Sequence, residues 1–428
     1  MGVKINDDTR SLHAIGDFIM SYQPYQNAFL NAMVNRIGMT LVTSKLWSNP
    51  WSVFKRGYME FGETVEEVFV NLAKPHSYDP PTAAREIFKR EIPDVRAAFH
   101  TMNFQKFYKA TIQNEQLRQA FLSWGGITDL IARIVDSLYT GMNYDEYITM
   151  KYMVSRAALN GDVAYKAVPS VFLTADDIVY GARTISTELT FLKPDYNRAG
   201  VYNSTLREDQ YVIISADMEA MVDVGVLARA FNMDYAQFLG HVIVVDSFSD
   251  HDLARLAMLY GDDSNYTAFT SDDVTALGNI AAIIVDKDWW MVFDNFQNMT
   301  ENYNGEGLYW NYWLHVWKTF SMSPYSNAVA IVNSVGTITS VTVSPSTATI
   351  APGGSAMFTA TVVKSGLVSD AVEWSITKQT SADTHIDPSS GMLVLGADET
   401  GDASNHITVT ATSVADSTAT GTATVTVS

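Results

Sequence analysis

The sequence predicts an α+β body followed by an all-β sandwich, and three features predict it. Aromatic residues stop near Val335–Gly336: 48 of the chain's 50 Phe, Trp and Tyr lie before that point, so two cores of different chemistry meet there. Beyond it, 33 of 93 residues are Ser or Thr, and short β-branched runs alternate with Gly/Pro turns, which excludes a helical tail. Before it, apolar residues recur at helical spacing in some stretches and alternate with a period of two in others.

The tail divides into short strands. Val341–Val343 precedes a turn at Pro345, and a second turn falls at Ala351-Pro-Gly-Gly354. Ala356–Val363 alternates with Met357 out of phase. Val372–Ile376, Gly391–Leu395, Ile407–Ala411 and Thr422–Val427 complete the set, with Phe358 and Trp374 as core anchors. The ordered run Val341-Thr-Val-Ser-Pro345, Ala351-Pro-Gly-Gly354, Phe358-Thr-Ala-Thr361, Val372-Glu-Trp-Ser375, Gly391-Met-Leu-Val394, Ile407-Thr-Val-Thr-Ala411 and Gly421-Thr-Ala-Thr-Val425 resembles a bacterial immunoglobulin-like group 2 domain over 336–428. Such a module implies a fold and no particular ligand.

In the body, residues 1–45 read as an amphipathic or arm-like start. Ser52–Met59 and Thr64–Leu72 read as the strands of a long hairpin around Gly57 and Gly62, and Arg85–Ile92 as a further extended stretch ending at Pro93. Ile127, Leu130, Ile131, Ile134, Val135, Leu138 and Tyr139 share one helical face, so a helix is expected over 126–140 with Gly141 stopping it. A second is expected over 143–160, opened by Asp145 and Glu146 and closed by Gly161. Further along, Asp217–Asn232 reads as helix, His241–Asp246 as strand and Asp250–Val274 as a long acidic, polar region. Ile280–Val285, Trp289–Asn295, Gly307–Phe320 and Asn327–Val332 are β-rich. Leu308–Trp317 is apolar on both faces, which predicts a strand covered on both sides.

Phe104-Gln-Lys-Phe-Tyr108, Phe121-Leu-Ser-Trp-Gly125, Leu227-Ala-Arg-Ala-Phe-Asn-Met233, Phe238-Leu-Gly240, Val285-Asp-Lys-Asp-Trp289, Gly307-Leu-Tyr-Trp-Asn-Tyr312 and His315-Val-Trp317 resemble, in order, segments of the major capsid proteins of phi-twenty-nine-type podophages. The resemblance implies the Hong Kong 97-type capsid fold: an N-terminal arm at 1–45, an extended loop at 46–92, a spine helix at 143–160, an axial domain at 168–280 and peripheral-domain strands at 280–333. It implies a structural protein that self-assembles as hexamers and pentamers into an icosahedral or prolate head around double-stranded DNA. A scaffolding protein and a portal would be its assembly partners, and the virion capsid, built in the host cytoplasm, its location. The alternative is a cell-surface or carbohydrate-binding protein carrying an immunoglobulin-like module.

The sequence offers little chemistry to set against this. Ser52-Val-Phe-Lys55 has the Ser-x-x-Lys spacing of acyl-enzymes but lacks the companion motifs, and Trp51, Phe54 and Tyr58 around it suit a hairpin better. No nucleophile elbow, phosphate loop or dinucleotide fingerprint occurs. Asp246, Asp250, His251, Asp252, Asp262 and Asp263 read as a solvated acidic loop, with a hard-cation site as the alternative. With no cysteine, disulfides and thiolate sites are excluded. No enzymatic activity, cofactor or metal is expected. The polar start is not a secretory signal, and no run of apolar residues is long enough to span a membrane.

The net charge of −19 argues against gripping nucleic acid or an anionic membrane. Residues 1–110 nonetheless carry 13 Lys/Arg against 11 Asp/Glu, whereas 111–335 carry 13 against 28; either the first segment packs on an acidic surface of this or a neighbouring subunit, or the difference is ordinary compositional scatter. The subunit interface is expected at Trp51, Phe54, Arg56, Tyr58, Phe61, Glu63 and Phe69, because one thin hairpin cannot bury that much apolar surface itself.

Overall fold

The computed structural model describes residues 47–59, 64–73, 75, 93–113, 126–168, 175–222, 241–263, 266–388, 390–400 and 406–428, with the side chains of the first helix described from Arg133 onward. The expected N-terminal arm, the stretch at 85–92, and Phe61 and Glu63 lie outside these residues, as do the capsid-like segments at 121–125, 227–233 and 238–240.

The first elements are a 3-10 turn at Pro50–Phe54, β1 (Lys55–Tyr58), β2 (Val65–Val70), β3 (Val95–His100) and β4 (Phe104–Gln113). Helix α1 (Gly126–Asn160) follows, then β5 (Ala164–Ala167), α2 (Ala175–Glu188), β6 (Gln210–Ser215), α3 (Ala216–Met221), β7 (Val242–Val245), α4 (Leu253–Tyr260) and α5 (Ser271–Leu277). The body closes with β8 (Ile280–Asp286), β9 (Trp290–Asn304), β10 (Tyr309–Met322) and β11 (Ala328–Val332). The chain forms two compact units. One comprises Met1–Val68, Arg96–Met150 and Trp290–Ser323; the other comprises Phe69–Val95, Lys151–Trp289 and Pro324–Ser428.

The first unit holds the sheet β1-β9-β10-β4, with β1 parallel to β9 and the other pairs antiparallel. Along β10 the even positions from Trp310 to Phe320 are buried, while Trp313, His315 and Trp317 on the opposite face remain partly open. The expectation of a strand covered on both sides is therefore corrected. Its second face is aromatic but is covered in part by its own neighbours, with Phe296 4.6 Å from Trp317 and the Lys109 ammonium 5.7 Å from Trp313.

Two expected helices are one. Helix α1 runs 35 residues, about 52 Å at 1.5 Å per residue, and passes straight through Gly141. A glycine inside a helix costs only about 1 kcal/mol, and the buried positions Val135, Leu138, Met142 and Met150 keep one side of the helix in contact with the core before and after it.

The second unit is built on the sheet β5-β11-β8-β6-β7. All seven residues of β8 and all five of β11 are buried, the pattern of central strands covered on both faces. Helix α2 lays Ile178, Ala182 and Ile185 against Ala281, Val329 and Ile331. The strands at 280–333 were expected in one sheet, and the structure divides them. Strands β8 and β11 join β5, β6 and β7, whereas the alternating β9 and β10 join β1 and β4. The acidic region 250–274 is also corrected: it contains α4 and α5, because its carboxylates act as caps. Asp252 accepts from Arg255 N at 3.0 Å, and Thr270 with Asp273 forms a reciprocal capping box. Of the helix expected at 217–232, residues 216–221 are helical and 223–232 lie outside the description.

The tail continues with β12 (Thr337–Ser344), β13 (Thr347–Ile350), β14 (Ser355–Met357), β15 (Thr359–Ser365), β16 (Val372–Thr377), β17 (His385–Ile386), β18 (Met392–Val394), β19 (Ile407–Ser413) and β20 (Thr420–Val427). Its sheets β12-β15, β13-β20-β19-β16 and β14-β18-β17 enclose Phe358, Trp374, Leu393, Ile407, Val409 and Val425. The inward–outward alternation runs unbroken across the change of strand: Phe358 points in, and Met357 lies on the outward face and is exposed. Gly391 adopts φ +75°, and a Cβ there would stand 2.6 Å from Phe358 O and 2.8 Å from the Trp374 ring, so only glycine fits beneath the tryptophan. The buried Glu399 carboxylate accepts from Thr380 N, Thr380 Oγ1, Ser381 N and Thr384 Oγ1 at 2.5–3.1 Å. Burial opposes its charge, but these four donors prevail and hold its pKa at about 2.

Residues 336–428 expressed alone should melt in a single cooperative calorimetric transition. Because the folded Glu399 pKa is depressed, its stabilisation is present above the ordinary value of 4.5 and fades as pH falls toward about 2. Urea unfolding of that fragment should therefore weaken across this window, and Glu399→Gln should flatten the slope.

Candidate assembly surface

Sequence reasoning placed Trp51 and Phe54 on a neighbouring subunit. The structure corrects this, because both are buried in the chain's own core. Asn49 caps the 3-10 turn by accepting from Trp51 N at 2.9 Å, which points the Trp51 ring inward. The ring meets Trp290 at 5.4 Å and Tyr147 at 5.9 Å, and Phe54 stacks on Trp290 at 5.2 Å. No 52–59/64–72 hairpin forms: β1 pairs with β9, and β2 pairs with β3.

Four charges fix this turn in place. Glu146 on α1 and Lys318 on β10 are 2% and 3% exposed and form an ion pair. Lys55 bonds Glu146 at 3.2 Å and Asp294 at 2.6 Å, and Lys318 bonds Asp294 at 2.8 Å. Asn49 Nδ2 donates to the other Glu146 oxygen at 2.8 Å. Two cations and two carboxylates thus neutralise one another where charges alone would be expelled. Burial pushes the Asp294 carboxyl up, yet Lys318 and Lys55 outweigh it and hold the pKa below the usual value. Burial likewise lowers Lys55, and Glu146 and Asp294 outweigh it upward.

Beyond this clasp the chain becomes a two-stranded ribbon, β2 with β3. One face of it is tied down. His100 Nε2 lies 3.2 Å from Glu67 Oε2 and His100 Nδ1 lies 2.7 Å from Ser321 Oγ, while Ser323 Oγ donates to Glu67 at 2.7 Å. Phe69 stacks on Tyr325 at 5.4 Å, and Asn71 bonds Asp94 where the strands diverge. The other face carries Val68, Val70, Leu72, Val95, Ala97 and Phe99, all exposed, with Val70 at 62% and Phe99 at 66%.

Of the expected interface residues, Tyr58 is 69% exposed at the end of β1, and Arg56 is exposed with its Nε donating to Trp290 O at 2.9 Å. Phe69 faces inward. The exposed ribbon residues were missed, and Val65-Glu-Glu-Val-Phe-Val70 gives no signal of them, since each face of the strand carries one Glu and two apolar residues. The clasp has no sequence signal at all, since its members lie far apart and share no motif. The acidic set is dispersed: Asp246 pairs with the buried Lys151 at 2.5 Å, Asp252 caps α4, and His251 stacks on Phe269 at 4.3 Å with its pKa depressed to about 4 by burial and then by Lys151. Among the described residues, no cluster of His, Asp and Glu could hold a metal ion.

Replacing Lys318 with Met leaves Glu146 without its closest cation in a dry site. It should cost about 3–5 kcal/mol in urea unfolding of the unassembled subunit. The pH dependence has two limits. Asp294 stabilisation is present above pH 3.8 and lost as pH falls through its lowered pKa, and Lys55 stabilisation is full below 10.5 and lost as pH rises through its raised pKa.

Comparison with known proteins resolves the class. Residues 4–332 match the family model described as Phi29-like phage major capsid protein. The chain is 36% identical over 405 residues to the major capsid protein of Bacillus phage B103, covering 93% of this chain and 83% of the relative. It is 35% identical over 404 residues to that of Bacillus phage PZA, with the same coverage. The uncovered share is smaller than the tail, so both matches extend into it. In three dimensions it resembles the capsid structure of Staphylococcus phage Andhra, with a TM-score of 0.53 at 16% identity over 68% of this chain and 86% of that one. An α+β phage capsid fold is thus joined to sequence kinship with major capsid proteins, and the carbohydrate-binding alternative is not favoured: the chain belongs to the Phi29-like phage major capsid protein family and is a structural protein of the virion, not an enzyme.

Proposed function

We propose that this capsid protein closes its shell by laying the exposed apolar face of the β2–β3 ribbon on a neighbouring copy. The observation that carries the reading is the asymmetry of the ribbon: Glu67, Phe69 and His100 bind it to its own chain, while Val68, Val70, Leu72, Val95 and Phe99 face solvent together. An unpaired apolar face on a two-stranded ribbon is a liability in a free subunit and an adhesive in a repeated array. Tyr58 and Arg56, exposed on β1, extend the contact.

The Hong Kong 97-type plan supplies names for these parts. The first strand of the ribbon, β2, belongs to the extended loop of 46–92, which an arm at 1–45 precedes. Helix α1 includes the spine, the five-stranded sheet belongs to the axial domain, and β9–β10 to the peripheral one. The tail is a bacterial immunoglobulin-like group 2 domain. Subunits would gather as hexamers and pentamers with a scaffolding protein and a portal, in the host cytoplasm. The shell would enclose double-stranded DNA without gripping it, in keeping with a net charge of −19.

Val70→Ser with Phe99→Ser removes apolar surface that the free subunit does not bury. The double variant should keep the subunit's melting temperature within a few degrees and abolish shells in electron micrographs. Normal shells would refute the assignment of this face.

A further inference from the structure

The last carbonyls of a helix have no partner inside it, and α1 brings no basic residue in its last turn. Its three C-terminal carbonyls before Asn160 are nevertheless filled, each from a different source. Asp162 N donates to Ala157 O at 2.9 Å across Gly161, whose φ of +83° suits a helix-ending glycine. The Tyr165 hydroxyl donates to Ala158 O. The third, Leu159 O, accepts from Lys364 Nζ at 2.7 Å, and Lys364 lies on β15 of the tail.

The surroundings are built around that contact. Lys364 Nζ also donates to Val368 O at 2.9 Å and lies 3.5 Å from Asp370 Oδ2, so one ammonium draws together the helix end and the loop after β15. Leu367 and Val368 in the same loop are buried. Ser369 closes on Gly161 so tightly that a Cβ there would stand 2.7 Å from Ser369 Cα. Asp162, next to the glycine, is held by Arg198 at 3.1 Å. The tail has only two cations, Lys364 and Lys378, against eight Asp and Glu. One of those two sits where the helix dipole is most negative.

We propose that Lys364 is the C-terminal cap of α1, delivered by the tail domain, and that this contact seats the tail on the end of the helix. The tail then completes the helix as well as following it in sequence. Detaching the tail leaves Leu159 O without its cation, and a tail lacking the lysine has a weaker hold.

Hydrogen exchange of the full-length protein tests this, read on peptides covering 157–163 and 364–371. Lys364→Met should speed exchange at the helix end about tenfold, Lys364→Arg should restore most of the protection, and Lys378→Met should leave it unchanged. Because the methionine variant could disturb the tail itself, exchange of β19 and β20 in the same full-length variant serves as the second measurement and should stay unchanged. Unaltered exchange at 157–163 in Lys364→Met, or acceleration there only in step with β19 and β20, would overturn the proposal. So would an equal acceleration from Lys378→Met.

Discussion

The first unit depends on a neutral knot of four charges. Lys55, Glu146, Asp294 and Lys318 come from the N-terminal strand, the long helix and the two strands of the hairpin β9–β10. Glu146 and Lys318 are taken out of water and need partners there, and the partly exposed Lys55 and Asp294, with Asn49 on the remaining Glu146 oxygen, supply them. The apolar half of the same junction, Trp51 with Phe54 against Trp290 and Tyr147, could slide along a sheet face by itself. The charges remove that freedom, because a shift of one residue would separate every pair. The place where the chain leaves β1 and enters the ribbon is therefore fixed by electrostatics, and the contact area around it by aromatic packing.

The ribbon follows from that constraint. It leaves a fixed point and is held along one face by Glu67, His100, Ser321 and Ser323, so its second face is presented in a defined orientation. A surface that must meet identical surfaces many times over needs such definition more than it needs affinity, since many moderate contacts add up in a closed shell. Membership of a major capsid family implies a repeated partner, and on the reading proposed above the unburied valines and Phe99 would be the surface it meets.

Much of the fold was legible because it rests on periodicity and composition. The short strands of the tail, its anchors Phe358 and Trp374, and the four strands between 280 and 333 all follow from local pattern. What failed was non-local. Gly141 looked like a stop because single-residue propensity cannot see the core that α1 crosses on both sides of it. Trp51 and Phe54 looked like interface residues because their aromatic size is visible in the sequence and their partners Trp290 and Tyr147 are not. The division of the 280–333 strands between two sheets is a matter of pairing partners, which strand pattern does not encode. The clasp residues are ordinary charged residues until the fold brings them together.

Hydrogen exchange followed by mass spectrometry, on unassembled subunits and on assembled particles, tests this account most directly. Amides of the 49–58 segment and of β9 and β10 should be protected equally in both states, because the clasp is complete within one chain, whereas those of β2 and β3 should slow markedly on assembly as a neighbour covers the exposed face. Equal exchange of the ribbon in both states, or a 49–58 segment that gains protection only in particles, would contradict it.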